Sequence, residues 1–90
     1  MQITFTKTFL KDLAKVSPAK RRVQIEKFVF EELQKFNSLE EIGSAEKMTG
    51  YTNFYKIRMG DYRIGIFKFS DSIELRRVLN RKEIYKYFPW

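Results

Sequence analysis

A chain of 90 residues with 43% apolar side chains and a formal charge of +7 has room for one domain and a single core. It holds no cysteine and no histidine, which excludes thiolate chemistry and removes the commonest acid–base side chain and most zinc sites. No apolar run approaches the ~20 residues a bilayer requires, so no membrane, metal or other cofactor is expected and the cytoplasm is the default location.

The opening Met1-Gln2-Ile3-Thr4-Phe5 enters a strand pattern directly, without the basic and apolar regions of a signal peptide. Gln2 to Thr6 alternates with Ile3 and Phe5 inward and reads as the first strand. From about Lys7 to Lys15, Phe9, Leu10, Leu13 and Ala14 fall at helical spacing. Ser17-Pro18 supplies an N-cap followed by proline at the first helical position, opening a second helix to about Phe36. At about 100° per residue, Ile25, Val29, Leu33 and Phe36 form one stripe with Phe28 at its edge. Val23 and Phe30 lie on another side and are expected to pack against the first helix, or else to form a partner-binding surface.

Residues 37–50 carry Asn, Ser and two glycines and read as a connection with room for one helical turn. Two strands, about 52–59 and 62–69, are joined at Gly60-Asp61, a two-residue hairpin signal. Ser70-Asp71-Ser72 is a turn and Ile73 to Leu79 a further strand whose register stays open. After Asn80 a short helix or extended tail is expected, with Phe88 and Trp90 closing the core and Tyr85 either buried or exposed. The order β-α-α-β-β-β implies one α+β domain over residues 1–90, an antiparallel sheet with a helical pair on one face.

If Gly60 and Asp61 form the turn, Met59 faces Tyr62, Arg58 faces Arg63 and Lys56 faces Gly65. Cross-strand partners share a face, so Lys56, Arg58 and Arg63 gather on one surface while Tyr55, Ile57, Ile64 and Ile66 point to the core. Two arginines directly opposite cost stability, unless an anion lies between them. Guanidinium groups bind phosphate oxygens bidentately, and Gly65 leaves space for a close approach. The alternative is an ordinary solvated sheet face. Residues 51–90 hold nine Lys/Arg against four Asp/Glu, whereas residues 1–50 hold nine against seven. The excess in the strand-rich half points to nucleic acid. Arg76, Arg77, Arg81 and Lys82, followed by Tyr85 and Tyr87, interleave cations with aromatics, a pattern that suits RNA.

The stretch Phe54-Tyr55-Lys56-Ile57-Arg58-Met59-Gly60-Asp61-Tyr62-Arg63-Ile64, with Asn80-Arg81-Lys82-Glu83-Ile84-Tyr85, resembles the RelE/ParE toxins of type II toxin–antitoxin systems. For the RelE-like branch, the resemblance implies a ribosome-dependent endoribonuclease that cuts mRNA in the ribosomal A site by 2′-hydroxyl transesterification, restrained by a cognate antitoxin. By motif position Lys56 and Arg58 match the two basic residues of the first hairpin strand. Arg63 matches the arginine after the turn, Arg81 either of two arginines near the C-terminus, and Tyr85 the final tyrosine. Carried over, Arg63 and Arg81 stabilise phosphate charge, with Arg81 serving the leaving group, and Tyr85 stacks on or orients a base. Lys56 is the residue offered as the general base, because like charges favour a lysine's neutral form. Arg58 stands where the family pattern has a second lysine. Arg76, Arg77, Lys82 and Tyr87 are expected to bind RNA. The alternatives are a ParE-like toxin that inhibits DNA gyrase by binding it, and a non-catalytic RNA- or antitoxin-binding remnant.

Overall fold

The computed structural model describes residues 1–89; Trp90, expected in the core, lies outside the described residues. Strand β1 spans Gln2–Phe5 and ends where Thr6 caps helix α1, Lys7–Ala14. The Thr6 hydroxyl accepts the Phe9 N–H at 3.0 Å and donates to the Arg76 carbonyl at 3.1 Å, tying the helix start to the sheet. Helix α2 spans Ala19–Lys27, and Pro18 rather than Ser17 occupies its cap position. Both backbone groups of Ser17 instead meet the Tyr62 hydroxyl, at 3.2 and 3.3 Å. The expected helix to Phe36 keeps its length but changes pitch, through a π turn at Phe28–Glu32 and a 3₁₀ turn at Leu33–Lys35.

Ile25, Val29 and Leu33 are buried as the stripe required. Val23 and Phe30 are 57% and 40% exposed, and the Phe30 ring meets Phe5 of β1 at 5.1 Å. Val23 lies about 200° round the helix from Ile25, so seating the stripe on the sheet turns Val23 to solvent. The 37–50 connection contains the anticipated turn, at Leu39–Glu41, and also a strand that was not expected, β2 at Ala45–Lys47. Strands β3 (Phe54–Met59), β4 (Tyr62–Phe69) and β5 (Ser72–Asn80) follow, then the four-residue helix α3 (Ile84–Tyr87).

The sheet order is β1-β5-β4-β3-β2. Every pairing is antiparallel except β1–β5, which is parallel, so the sheet is mixed rather than wholly antiparallel. A parallel neighbour needs a long crossover, and the helices and hairpin between Phe5 and Ser72 provide it. One face carries the main core, where Phe9, Ile25, Val29 and Leu33 meet Ile57, Ile64, Ile66 and Leu75. Each such side chain stabilises by about 1.5–3 kcal/mol, so Ile64→Ala costs about 2–5 kcal/mol. Met48, Ile84 and Phe88 form a smaller cluster with Phe54 and Leu79. Leu79 pairs with Arg63 in register, which places this cluster and α3 on the cationic face.

Candidate active site

The hairpin forms in the expected register, with Arg58 opposite Arg63 and Lys56 opposite Gly65. Gly60 has φ +61° and Asp61 is not in the positive-φ region, the pattern of a type II′ turn with glycine first. The Arg58 N–H points toward Ser44 at 3.5 Å, not toward β4. Arg58 and Arg63 are thus a non-hydrogen-bonded pair, the kind whose side chains stand closest. Nη1 of Arg63 donates to the Gly60 and Tyr62 carbonyls at 2.8 and 3.0 Å. This fixes one edge of the guanidinium, while Nε and Nη2 bond no group of the chain among the described residues. Arg58 is exposed and has no ion pair among the described residues.

Lys56 donates from Nζ to the Tyr85 hydroxyl and lies 4.8 Å from the centroid of that ring. Tyr85 comes from α3, which the buried Ile84 and Phe88 hold against the sheet. A cleft of about 130 Å³ is lined by Ser44, Glu46, Lys56, Arg58, Arg63 and Tyr85. It brings together four of the residues the family pattern marked. Arg81 is not on this lining: its N–H donates to the Asp61 carbonyl at 2.7 Å, so its backbone abuts the turn while its side chain is exposed. Glu46, the carboxylate of the lining, escaped sequence reasoning because β2 was not foreseen; the strand sets it directly opposite Lys56.

Gly65 does not admit a ligand. A Cβ there would stand 2.8 Å from the Phe88 ring, so the chain's own aromatic fills the space. The four residues expected to bind RNA divide into two pairs. Arg76 is the unpaired residue at the bulge where Gly65 and Ile66 face Arg77 and Leu75. It bonds Glu74 at 2.6 Å and lies over Phe67 and Phe54 at 4.4 and 5.7 Å. Arg77 grips the buried Asp12 through two bonds, 2.8 and 3.1 Å, and Asp12 also accepts the Val78 N–H at 3.2 Å. The hydrogen bond to Asp12 pushes the Arg77 pKa upward. Both arginines therefore hold carboxylates of their own chain, next to where β1 stops and β5 would otherwise be an edge. Lys82 and Tyr87 are exposed, although the Tyr87 ring lies 5.4 Å from the Arg77 guanidinium. No group of three His, Cys, Asp or Glu among the described residues is placed to hold a metal ion.

Three cations and a tyrosine around a small cleft, on the sheet face opposite the main core, can bind a phosphodiester and stabilise added negative charge on it. The family model described as "ParE toxin of type II toxin-antitoxin system, parDE" matches residues 3–85, and the chain belongs to this RelE/ParE toxin family. Among individual proteins it is similar to Toxin RelE3 of Methanocaldococcus jannaschii, 50% identical over 90 residues that cover 99% of this chain and 100% of the relative. It is likewise similar to a chain of the RelB-RelE antitoxin-toxin complex from Methanococcus jannaschii, with TM-score 0.78, 50% identity and coverage of 96% and 99%. A chain of the toxin-antitoxin complex RelBE2 from Mycobacterium tuberculosis shares the fold, with TM-score 0.68, 23% identity and coverage of 89% and 96%.

Proposed function

We propose that this toxin is a RelE-type mRNA interferase of the cytoplasm, cutting message in the ribosomal A site and neutralised by a cognate antitoxin. The observation that carries the reading is the cleft that assembles Lys56, Arg58, Arg63 and Tyr85. In the reaction the nucleotide's 2′-hydroxyl loses its proton and attacks the adjacent phosphorus. The bond to the 5′-oxygen then breaks and that oxygen gains a proton, leaving a 2′,3′-cyclic phosphate and a 5′-hydroxyl.

Arg58 and Arg63 bracket the non-bridging oxygens, whose charge grows in the phosphorane, and this electrostatic stabilisation supplies most of the acceleration. Lys56 is the proton acceptor of this reading and Glu46, opposite it, the competing one; Glu46→Gln distinguishes them. Tyr85 stacks on or orients a base. Arg81, beside the turn, serves the leaving oxygen, and Lys82 and Tyr87 extend the RNA track. Arg76 and Arg77 act through the scaffold.

Primer-extension mapping on translated mRNA tests the reading, with Arg63→Ala and Arg81→Ala as controls. Cleavage by the wild type, lost in both variants, is the expected result. The ParE description of the family model favours a second reading, gyrase inhibition by binding. Growth arrest with intact mRNA and an induced DNA-damage response would establish it. For the antitoxin, the net charge of +7 calls for an acidic segment over the cationic face. Exposed Val23 and Phe30 offer an apolar contact on α2, and the solved relatives named above are toxin–antitoxin complexes.

A further inference from the structure

Beside the cationic cleft lies a second hollow of about 340 Å³, and Lys56 and Tyr85 form part of the wall of both. Its floor is apolar, made by Met48, Phe88 and Pro89, and its rim carries Thr49 and Tyr51. The rim is built rather than loose. Gly50 has φ +84° and the Tyr51 N–H bonds the Met48 carbonyl at 3.2 Å, the arrangement of a type II turn with glycine at its third position. The turn is anchored where Met48 N–H meets the Phe54 carbonyl at 2.8 Å. Tyr51 stands at 89° to Phe54, ring centres 5.8 Å apart, and remains 39% exposed. Neither the Thr49 nor the Tyr51 hydroxyl bonds to a group of the chain among the described residues.

We propose that this hollow is a nucleobase pocket that receives a base flanking the scissile phosphate. The proposal rests on the nuclease reading given above and adds to it the source of sequence preference. A base attached to a phosphate in the cleft can leave it beside Lys56 and Tyr85, the wall that cleft and hollow share. An aromatic rim, an apolar floor and a few polar tips match the two faces and the polar edge of a base. Tyr51 stacks on the base, and the Thr49 hydroxyl, both donor and acceptor, reads its edge. An apolar side chain of a protein partner would use the floor and leave both hydroxyls without a partner.

The test is sequencing of the 5′ ends produced from mRNAs with randomised codons in a reconstituted translation reaction. Wild type is compared with Tyr51→Leu, Tyr51→Phe and Thr49→Val, and the melting temperature and antitoxin affinity of each are measured alongside. Leucine keeps volume on Phe54 without stacking, so Tyr51→Leu lowers cleavage at favoured codons about tenfold, whereas Tyr51→Phe stays within about threefold. Thr49→Val changes the base preference at one position beside the cut by about three- to tenfold, the worth of one hydrogen bond. Cleavage profiles of Tyr51→Leu and Thr49→Val that match the active wild type overturn the pocket and leave the nuclease standing. An unchanged profile with weakened antitoxin binding identifies the hollow as a protein-docking site and overturns it too. A wild type that leaves every message intact brings down the nuclease reading, and the pocket with it.

Discussion

Gly65→Ala adds one methyl group to the centre of the sheet, and the structure says what that methyl must meet. The new Cβ would lie 2.8, 2.8 and 2.9 Å from three ring carbons of Phe88, whereas ordinary contact begins at 3.4 Å. The ring therefore retreats by about 0.6 Å or more, and Gly65 needs no positive φ, so the effect is steric and not conformational. Overpacking of this kind costs about 1–3 kcal/mol. At about 4–8 °C per kcal/mol for a domain of this size, melting falls by about 5–20 °C. The retreat carries α3 with it, and Tyr85 shifts against Lys56. A misplacement of about 1 Å at a reacting centre costs about a hundredfold in rate. Thermal melts and single-turnover cleavage are measured on Gly65→Ala, Phe88→Ala and the double variant. Phe88→Ala alone costs about 3–5 kcal/mol. The double variant loses less than the sum, because removing the ring removes the clash. Strict additivity, or a Gly65→Ala protein that melts like the wild type, would refute the claim that the ring seats on this glycine.

Arg58→Ala relieves the cross-strand repulsion and raises stability by about 0.2–1 kcal/mol, while cleavage drops; a thermal melt beside the cleavage assay reads both. Asp12→Ala strands Arg77 and the Val78 N–H and costs about 2–3 kcal/mol, less than a fully buried pair because Arg77 is 24% exposed. The Arg77 pKa is raised on folding, so its share is complete below the ordinary arginine value and is lost only as pH rises through the raised one. The melting gap between wild type and Asp12→Ala therefore shows no loss from Arg77 titration between pH 7 and pH 10. Glu40 is held below the usual carboxylate value by its hydrogen bond to Lys68. That contribution is present above the ordinary glutamate value and fades as pH falls through the lowered one. Because the pair is exposed, added salt should weaken it, which a melt of Glu40→Gln against wild type at two salt concentrations checks.

The hairpin was legible because its signals are local: a Gly-Asp turn, a period of two and cations at Lys56, Arg58 and Arg63 on one face. The same holds for the Ile25–Leu33 stripe, though not for its change of pitch. What escaped was set by partners distant in the chain. Strand β2 has three residues, too few for a period to show, and with it went Glu46. The parallel β1–β5 pair joins Ile3 to Ile73, and no local pattern records direction. Gly65 was read as room for a ligand or a backbone, but its visitor is the Phe88 side chain, which lies in the C-terminal tail. Arg77 read as a free cation because Asp12 enters only when α1 folds back onto β5.

The central claim is that Arg58 and Arg63 hold one scissile phosphate between them. The direct measurement is the single-turnover rate on ribosome-bound mRNA for Arg58→Ala, Arg63→Ala and the double variant. Groups that act as a unit are not additive. Each single variant is expected to lose about a hundredfold or more, and the double variant little beyond that. Single variants within about threefold of the wild type would contradict the claim.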